Sequence, residues 1–222
     1  MTGQFSISDN VKHIMNELPA GVDLVAAAKT RSAGEISEAI SAGVRIIGEN
    51  YVQEAEKVFM SVGGPVHWHF IGHLQKNKIG KAVRIFDMIE TVDSYELAAE
   101  IDKKCRAAGK KMEILIEINS GREDQKFGVF PENVLEMAEK IVQLPNVKIA
   151  GVMTMGSFSG DPEGSRSCFK ATREVYDDLR ARNIPGVDMR YLSMGMTNSY
   201  RVAIEEGANL VRIGEKIFGE RK

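Results

Sequence analysis

Short apolar runs alternate along this chain with longer stretches whose apolar residues recur every three or four positions. The runs read as strands: "DLVAAAKT", "VRIIGEN", "VHWHFIG", "FDMIETVD", "KMEILIEINS", "VKIAGVMTMG", "MRYLSMG" and "NLVRIGEKIFG". Between them lie helical patterns: "SAGEISEAISAG", "VQEAEKVFMS", "NKIGKAVRI", "SYELAAEIDKKCRAAG", "PENVLEMAEKIVQLP", "SRSCFKATREVYDDLRARN" and "SYRVAIEEGA". A further helix precedes the first strand over 8–18. Val11, Ile14, Met15 and Leu18 form its apolar face, Ser8 is its expected cap and Pro19 follows it. Strands that alternate with helices imply parallel pairing through crossover connections. Eight of them predict a closed (β/α)8 TIM barrel with an extra N-terminal helix; an open doubly wound sheet is the structural alternative.

Composition narrows the picture. A chain of 222 residues suits one domain, 1–222, and no linker, repeat or low-complexity segment divides it. The 43% of hydrophobic residues can fill a sizeable core, and 29 Lys+Arg against 31 Asp+Glu leave a net charge of -2. That balance gives no electrostatic footprint for nucleic acid. No stretch approaches the ~20 apolar residues of a membrane span, and no targeting signal is visible, so a soluble cytoplasmic protein is expected. Cys105 and Cys168 fall in helical patterns and read as free thiols. The one loose stretch is "SFSGDPEGS", 157–165.

In a barrel the chemistry sits at the C-terminal strand ends. Lys29 ends the first strand, either as a solvated exit or as an amine able to form a Schiff base. Asn50 follows the second, as a pocket group or as the cap of the next helix. His67 and His69 share a face of the third at period two. Packing or polar support suits them better than metal, since no carboxylate cluster accompanies them. Ser193, Gly195, Thr197, Asn198 and Ser199 crowd the seventh strand's exit, and Gly214 follows Arg212 on the eighth. Glycine amides and hydroxyls after strands seven and eight suit a phosphate, with turn chemistry and capping as the plainer alternative. Arg212, inside an apolar strand, needs an acceptor: a salt bridge, or a heteroaromatic nitrogen of a bound cofactor.

The set "VAAAKT", "IGENYVQEA", "WHFIGHLQKNK" and "LSMGMTNSYRVAIEEGANLVRIGEKIFG" resembles, over the whole length and in order, the pyridoxal phosphate (PLP) homeostasis proteins. The resemblance implies the barrel of alanine racemase's N-terminal domain. It also implies PLP as cofactor, joined to Lys29 as an internal aldimine, with Asn50 lining its ring. Ser193 and the turn of Gly195, Met196 and Thr197 would hold the phosphate from one side, and the Gly214 backbone from the other. Arg212 would face the pyridine nitrogen, which weakens the electron sink of PLP catalysis. The family's "GMS" reads "GMT" here, and an Asp two residues later is replaced, so its capping role passes to Asn198 or Ser199.

The function expected from this resemblance is intracellular PLP homeostasis, by a monomeric carrier that buffers the cofactor and supplies PLP-requiring apo-enzymes. A racemase or decarboxylase with His73 or Tyr51 as its acid is the alternative, and a Schiff-base aldolase a third. Two-base racemisation needs an acid opposite the lysine, which the racemase takes from a second domain that this chain lacks. Hence a binder without turnover is expected.

Overall fold

The computed structural model describes residues 6–62, 65–156 and 161–220. Eight parallel strands close on themselves in sequence order. They are β1 (Asp23–Ala27), β2 (Ile46–Glu49), β3 (His67–Phe70), β4 (Met88–Val92), β5 (Met112–Glu117), β6 (Val147–Met153), β7 (Val187–Ser193) and β8 (Leu210–Ile213). Around them run α1 (Ile7–Glu17), α2 (Ala33–Ser41), α3 (Val52–Phe59), α4 (Ile79–Ile85), α5 (Tyr95–Ala108), α6 (Val134–Ile141), α7 (Arg166–Arg182), α8 (Tyr200–Glu205) and α9 (Glu215–Phe218). The barrel expectation holds, and the doubly wound alternative falls at the seam, where Asp23 pairs with Leu210 and Val25 with Arg212.

Local chemistry explains the segmentation. The Ser32 hydroxyl accepts from the Glu35 amide while the Glu35 carboxylate accepts from the Ser32 amide, a reciprocal cap that starts α2. Ser94 caps α5 one way, its hydroxyl accepting from the Leu97 amide, and Gly109 ends it in a left-handed conformation. Leu97, Ala98, Ile101 and Cys105 form the buried stripe of α5 between those signals. Two sequence readings shift. The cap of α1 is Ser6, whose hydroxyl accepts from the Asp9 amide at 3.1 Å. Ser8 lies in the first turn, its amide donating to Glu38 at 3.2 Å. The last strand ends at Ile213 rather than running to Gly219, because Ile217 and Phe218 are buried as part of α9. There the Ile217 carbonyl accepts from Asn10 of α1 at 3.0 Å.

Period-two alternation divides the strand residues between two cores. Outward-facing residues such as Ala26, Ile47, Ile89, Ile114 and Val211 meet the helices. Val25, Ile46, Ile71, Met88, Leu115, Ala150, Met153 and Leu210 plug the lumen from inside. Burying one such side chain stabilises by about 1.5–3 kcal/mol, so this plug fixes the height at which the strands open into the mouth. Among the described residues no helix is long and apolar enough to cross a membrane.

Candidate functional site

Above the apolar plug, the strand ends frame a cavity of about 460 Å³. Lys29, Asn50, Met196, Thr197, Arg212 and Gly214 line it, together with Arg31, Ile71 and Met155. A slightly larger cavity of about 500 Å³ lies beside α7 and β7, lined by residues such as Tyr176, Arg180 and Arg190. It gathers no strand-end chemistry. Six of the eight residues expected at the site therefore share one space, and Ser193 and Gly195 stand behind its wall.

Lys29 arrives there by alternation: Val25 sits in the lumen, Ala27 packs on it, and Lys29 emerges half-buried in the mouth. Its Nζ lies 4.8 Å from the centre of the Tyr51 ring. Immediately beyond, Thr30 takes φ +67, and its amide donates to the Glu54 carboxylate at 3.0 Å. A left-handed non-glycine residue costs on the order of 1–2 kcal/mol, and the chain thereby leaves the mouth just after the lysine.

Asn50 is fixed by its neighbour in space. A Cβ on Gly72 would come 2.2 Å from the Asn50 carbonyl oxygen, so only glycine allows β3's exit to lie against it. The Thr91 hydroxyl holds that approach by donating to the Gly72 carbonyl at 2.6 Å. Asn50 does not cap α3; Tyr51 occupies that position and makes no side-chain cap.

The turn after β7 depends on Gly195, at φ +87, where a Cβ would meet Ala203 at 2.6 Å and the Tyr200 backbone at 2.8 Å. Its carbonyl accepts from the Arg212 amide at 3.1 Å, tying the turn to β8. The Ser199 hydroxyl turns back to accept from the Met196 amide at 3.3 Å, so Ser199 holds the N-cap position of α8 without a side-chain cap. Among the described residues, the amides of Thr197, Asn198, Gly214 and Glu215 donate to no other protein group. Two adjoining turns thus present spare donors to one cavity, an arrangement suited to an anion.

Below them runs a buried polar chain. Arg212, 3% exposed, donates through Nη1 to Ser193 Oγ at 2.5 Å and through Nη2 to the Thr154 carbonyl at 2.9 Å. Ser193 Oγ donates in turn to Glu90 Oε2 at 2.7 Å, and Glu90 Oε1 lies 2.7 Å from His69 Nδ1. Burial works against an ionised Glu90, but His69, Arg212 and Ser193 together hold its carboxyl below the usual range. Burial pushes the Arg212 guanidinium down, while Glu90 and Glu117 pull it back up. Glu117 rises to about 7, mainly through burial and then through Asp93. Glu49, behind Asn50, rises to about 8 through burial and the nearby Glu54.

The Ser193 hydroxyl, expected among the phosphate contacts, donates here to Glu90 and accepts from Arg212. The two strand histidines part company: His69 is buried on Glu90, whereas His67 is exposed at the strand's start, 3.8 Å from Asp87. No group of three or more His, Cys, Asp or Glu is placed to hold a metal among the described residues. Cys105 and Cys168 are free and buried. Sequence reasoning missed Glu90, although a carboxylate inside the strand run "MIETV" was the available signal. Of the 157–165 loop, 157–160 lie outside the described residues, while Asp161, Pro162 and Ser165 line the cavity.

Comparison with known proteins agrees with this fold. The family model for the alanine racemase N-terminal domain matches residues 5–222. The pyridoxal phosphate homeostasis protein of Aquifex aeolicus is 41% identical over 200 residues, covering 90% of this chain and 87% of that protein. The human protein of the same name is 39% identical over 210 residues, 89% of this chain and 76% of its own. Among solved structures, PipY of Synechococcus elongatus with PLP bound superposes with a TM-score of 0.88 at 30% identity, covering 96% of this chain and 100% of PipY. Alanine racemase of Clostridium difficile shares the fold alone, with a TM-score of 0.83 at 16% identity over 97% of this chain and 57% of its own. By fold and by these relatives, the chain belongs to the pyridoxal phosphate homeostasis protein family, built on the alanine racemase N-terminal domain.

Proposed function

We propose that the cavity holds pyridoxal 5'-phosphate and that the protein acts in PLP homeostasis, keeping the cofactor bound and passing it to apo-enzymes that need it. One observation carries the reading: a half-buried lysine, four unspent amides in two adjoining turns and a buried arginine meet in one cavity. These match an aldehyde, a phosphate and a pyridine nitrogen respectively. Lys29 supplies the amine that captures the aldehyde. The Gly195–Met196–Thr197 turn and Gly214 hold the phosphate, with the Ser193 hydroxyl acting on Arg212 instead. Asn50 lines the ring face. PLP brings a reactive aldehyde and, in enzymes, an electron sink. Arg212 keeps its proton at any physiological pH, so it donates to the ring nitrogen and suppresses the protonation that the sink requires.

This distribution favours a carrier over an enzyme. The test is a visible absorption spectrum of the purified protein with added PLP, then borohydride reduction and peptide mapping. A yellow protein with a pyridoxyl group on Lys29 is expected, and a colourless, unlabelled protein would overturn the reading. Lys29→Ala should lose the visible band while keeping weaker, phosphate-dependent binding; an unchanged band would exclude Lys29 as the capturing amine. Incubating the yellow protein with one alanine enantiomer separates the two activities, since appearance of the other enantiomer would refute the carrier.

A further inference from the structure

Within a lumen otherwise filled by Val25, Ile46, Met88, Leu115 and Leu210, one polar file runs across the barrel from β3 through β4 and β7 to β8. Burying four polar side chains there is costly, and an apolar set of similar volume is often as stable or more so. The file ends on one group. Arg212 spends donors on Ser193, the Thr154 carbonyl and the Met155 sulfur, and of its five N–H groups two remain beside the cavity it lines. Glu90 also sits 3.9 Å from Arg212 Nη1, close enough to oppose its charge directly.

We propose that Glu90 and His69 are positioning residues which, through the Ser193 hydroxyl, fix the Arg212 guanidinium and offset its charge, so that four residues rather than one set the field on an aromatic nitrogen held in the cavity. The inference rests on the PLP reading for its ligand but not for its geometry. The other charged or titratable groups around the file are Glu117 from β5, Tyr191 from β7 and Lys29 just beyond β1, and among the described residues none of them hydrogen-bonds to it. Glu90→Gln keeps the shape: its amide can donate to His69 Nδ1 in the other tautomer, and its oxygen can still accept from Ser193. Only the negative charge is lost.

In the PLP-loaded protein, Glu90→Gln should lower the pH midpoint of the Lys29-linked visible band by about half a unit or more, because an uncompensated guanidinium disfavours a second positive charge nearby. Ser193→Ala should move it the same way by less, since Glu90 remains close to Arg212. A midpoint unchanged in a cooperatively melting Glu90→Gln protein would overturn the proposal. Should that variant fail to fold, an unchanged midpoint in Ser193→Ala would overturn it instead. Without cofactor, the guanidinium protons of Arg212 followed by nitrogen NMR should exchange about tenfold faster in either variant. Unaltered exchange would refute the positioning role even if the wild-type protein took up no PLP, the outcome that defeats the ligand reading alone.

Discussion

Replacing Glu49 by glutamine should stabilise the protein, and increasingly so as the pH rises. Glu49 ends β2 with 1% of its surface exposed, and its Oε2 has no hydrogen-bond partner among the described residues. Burial, with the Glu54 carboxylate nearby, lifts its pKa from the ordinary 4.5 to about 8. Below pH 4.5 the folded and unfolded chains both carry the proton. Between 4.5 and about 8 the unfolded chain releases it and the folded chain keeps it, so unfolding gains ground at every step; above about 8 the penalty is constant. Each pH unit across that interval removes about 1.4 kcal/mol, which sets the full effect at about 3–5 kcal/mol. Glutamine does not titrate. Its amide has hydrogen-bonding needs of its own, but that offset does not change with pH. The assay is urea unfolding of both cofactor-free proteins from about pH 5 to about pH 9, read as the difference in stability between them. Contributions from Glu90 and Glu117 occur in both proteins and cancel. The difference should widen in favour of the variant up to about pH 8 and then level off. A difference that stays flat over this range would show that Glu49 ionises normally in the folded state.

Three further outcomes can be checked. Gly195→Ala should destabilise by about 2 kcal/mol or more, since φ +87 and the Ala203 contact both oppose a Cβ, and PLP uptake should fall with it in an absorbance titration. Gly72→Ala should destabilise by about 2 kcal/mol or more, since its Cβ would meet the Asn50 backbone at 2.2 Å, and should weaken PLP binding several-fold below the melting transition; equal affinity would exclude Asn50 as a ring contact. Glu17 accepts from Tyr200 and Arg201, and these bonds lower its pKa from 4.5 to about 2. The stability it adds is full above pH 4.5 and disappears as the pH falls towards about 2. Because the pair is solvent-screened, Glu17→Gln should cost no more than about 1 kcal/mol at neutral pH and nothing in strong acid, measured by thermal melting.

The barrel was legible because both of its periods are clean. Alternation placed Lys29, Asn50 and Arg212 on the lumen side, and the glycine-rich exits of β7 and β8 marked where a backbone could open towards a ligand. What remained hidden depended on long-range pairing. Nothing local distinguishes a Ser193 that touches a phosphate from one that donates a hydrogen bond to Glu90, 103 residues away in sequence. Glu90 itself lies among apolar neighbours that signal only a strand. His67 and His69 have equivalent spacing, yet height along the barrel axis buries one and exposes the other. The end of β8 was misplaced because Ile217 and Phe218 continue an apolar run whose destination is α1 rather than the sheet.

The seam between β1 and β8 has one more consequence. Lys29 lies just beyond the first strand of the barrel, Arg212 lies in the last and Gly214 just beyond it, so the three become neighbours only when Asp23–Ala26 meets Leu210–Ile213. Joining them closes a loop of nearly the whole chain, the slowest kind of contact to form. A ligand spanning this join would therefore act as a clasp: absent from any partly zipped intermediate, it would draw its binding energy from the closed ring alone and slow the ring's reopening. Cofactor supply would then set the lifetime of the folded barrel, as well as the amount of cofactor held in reserve.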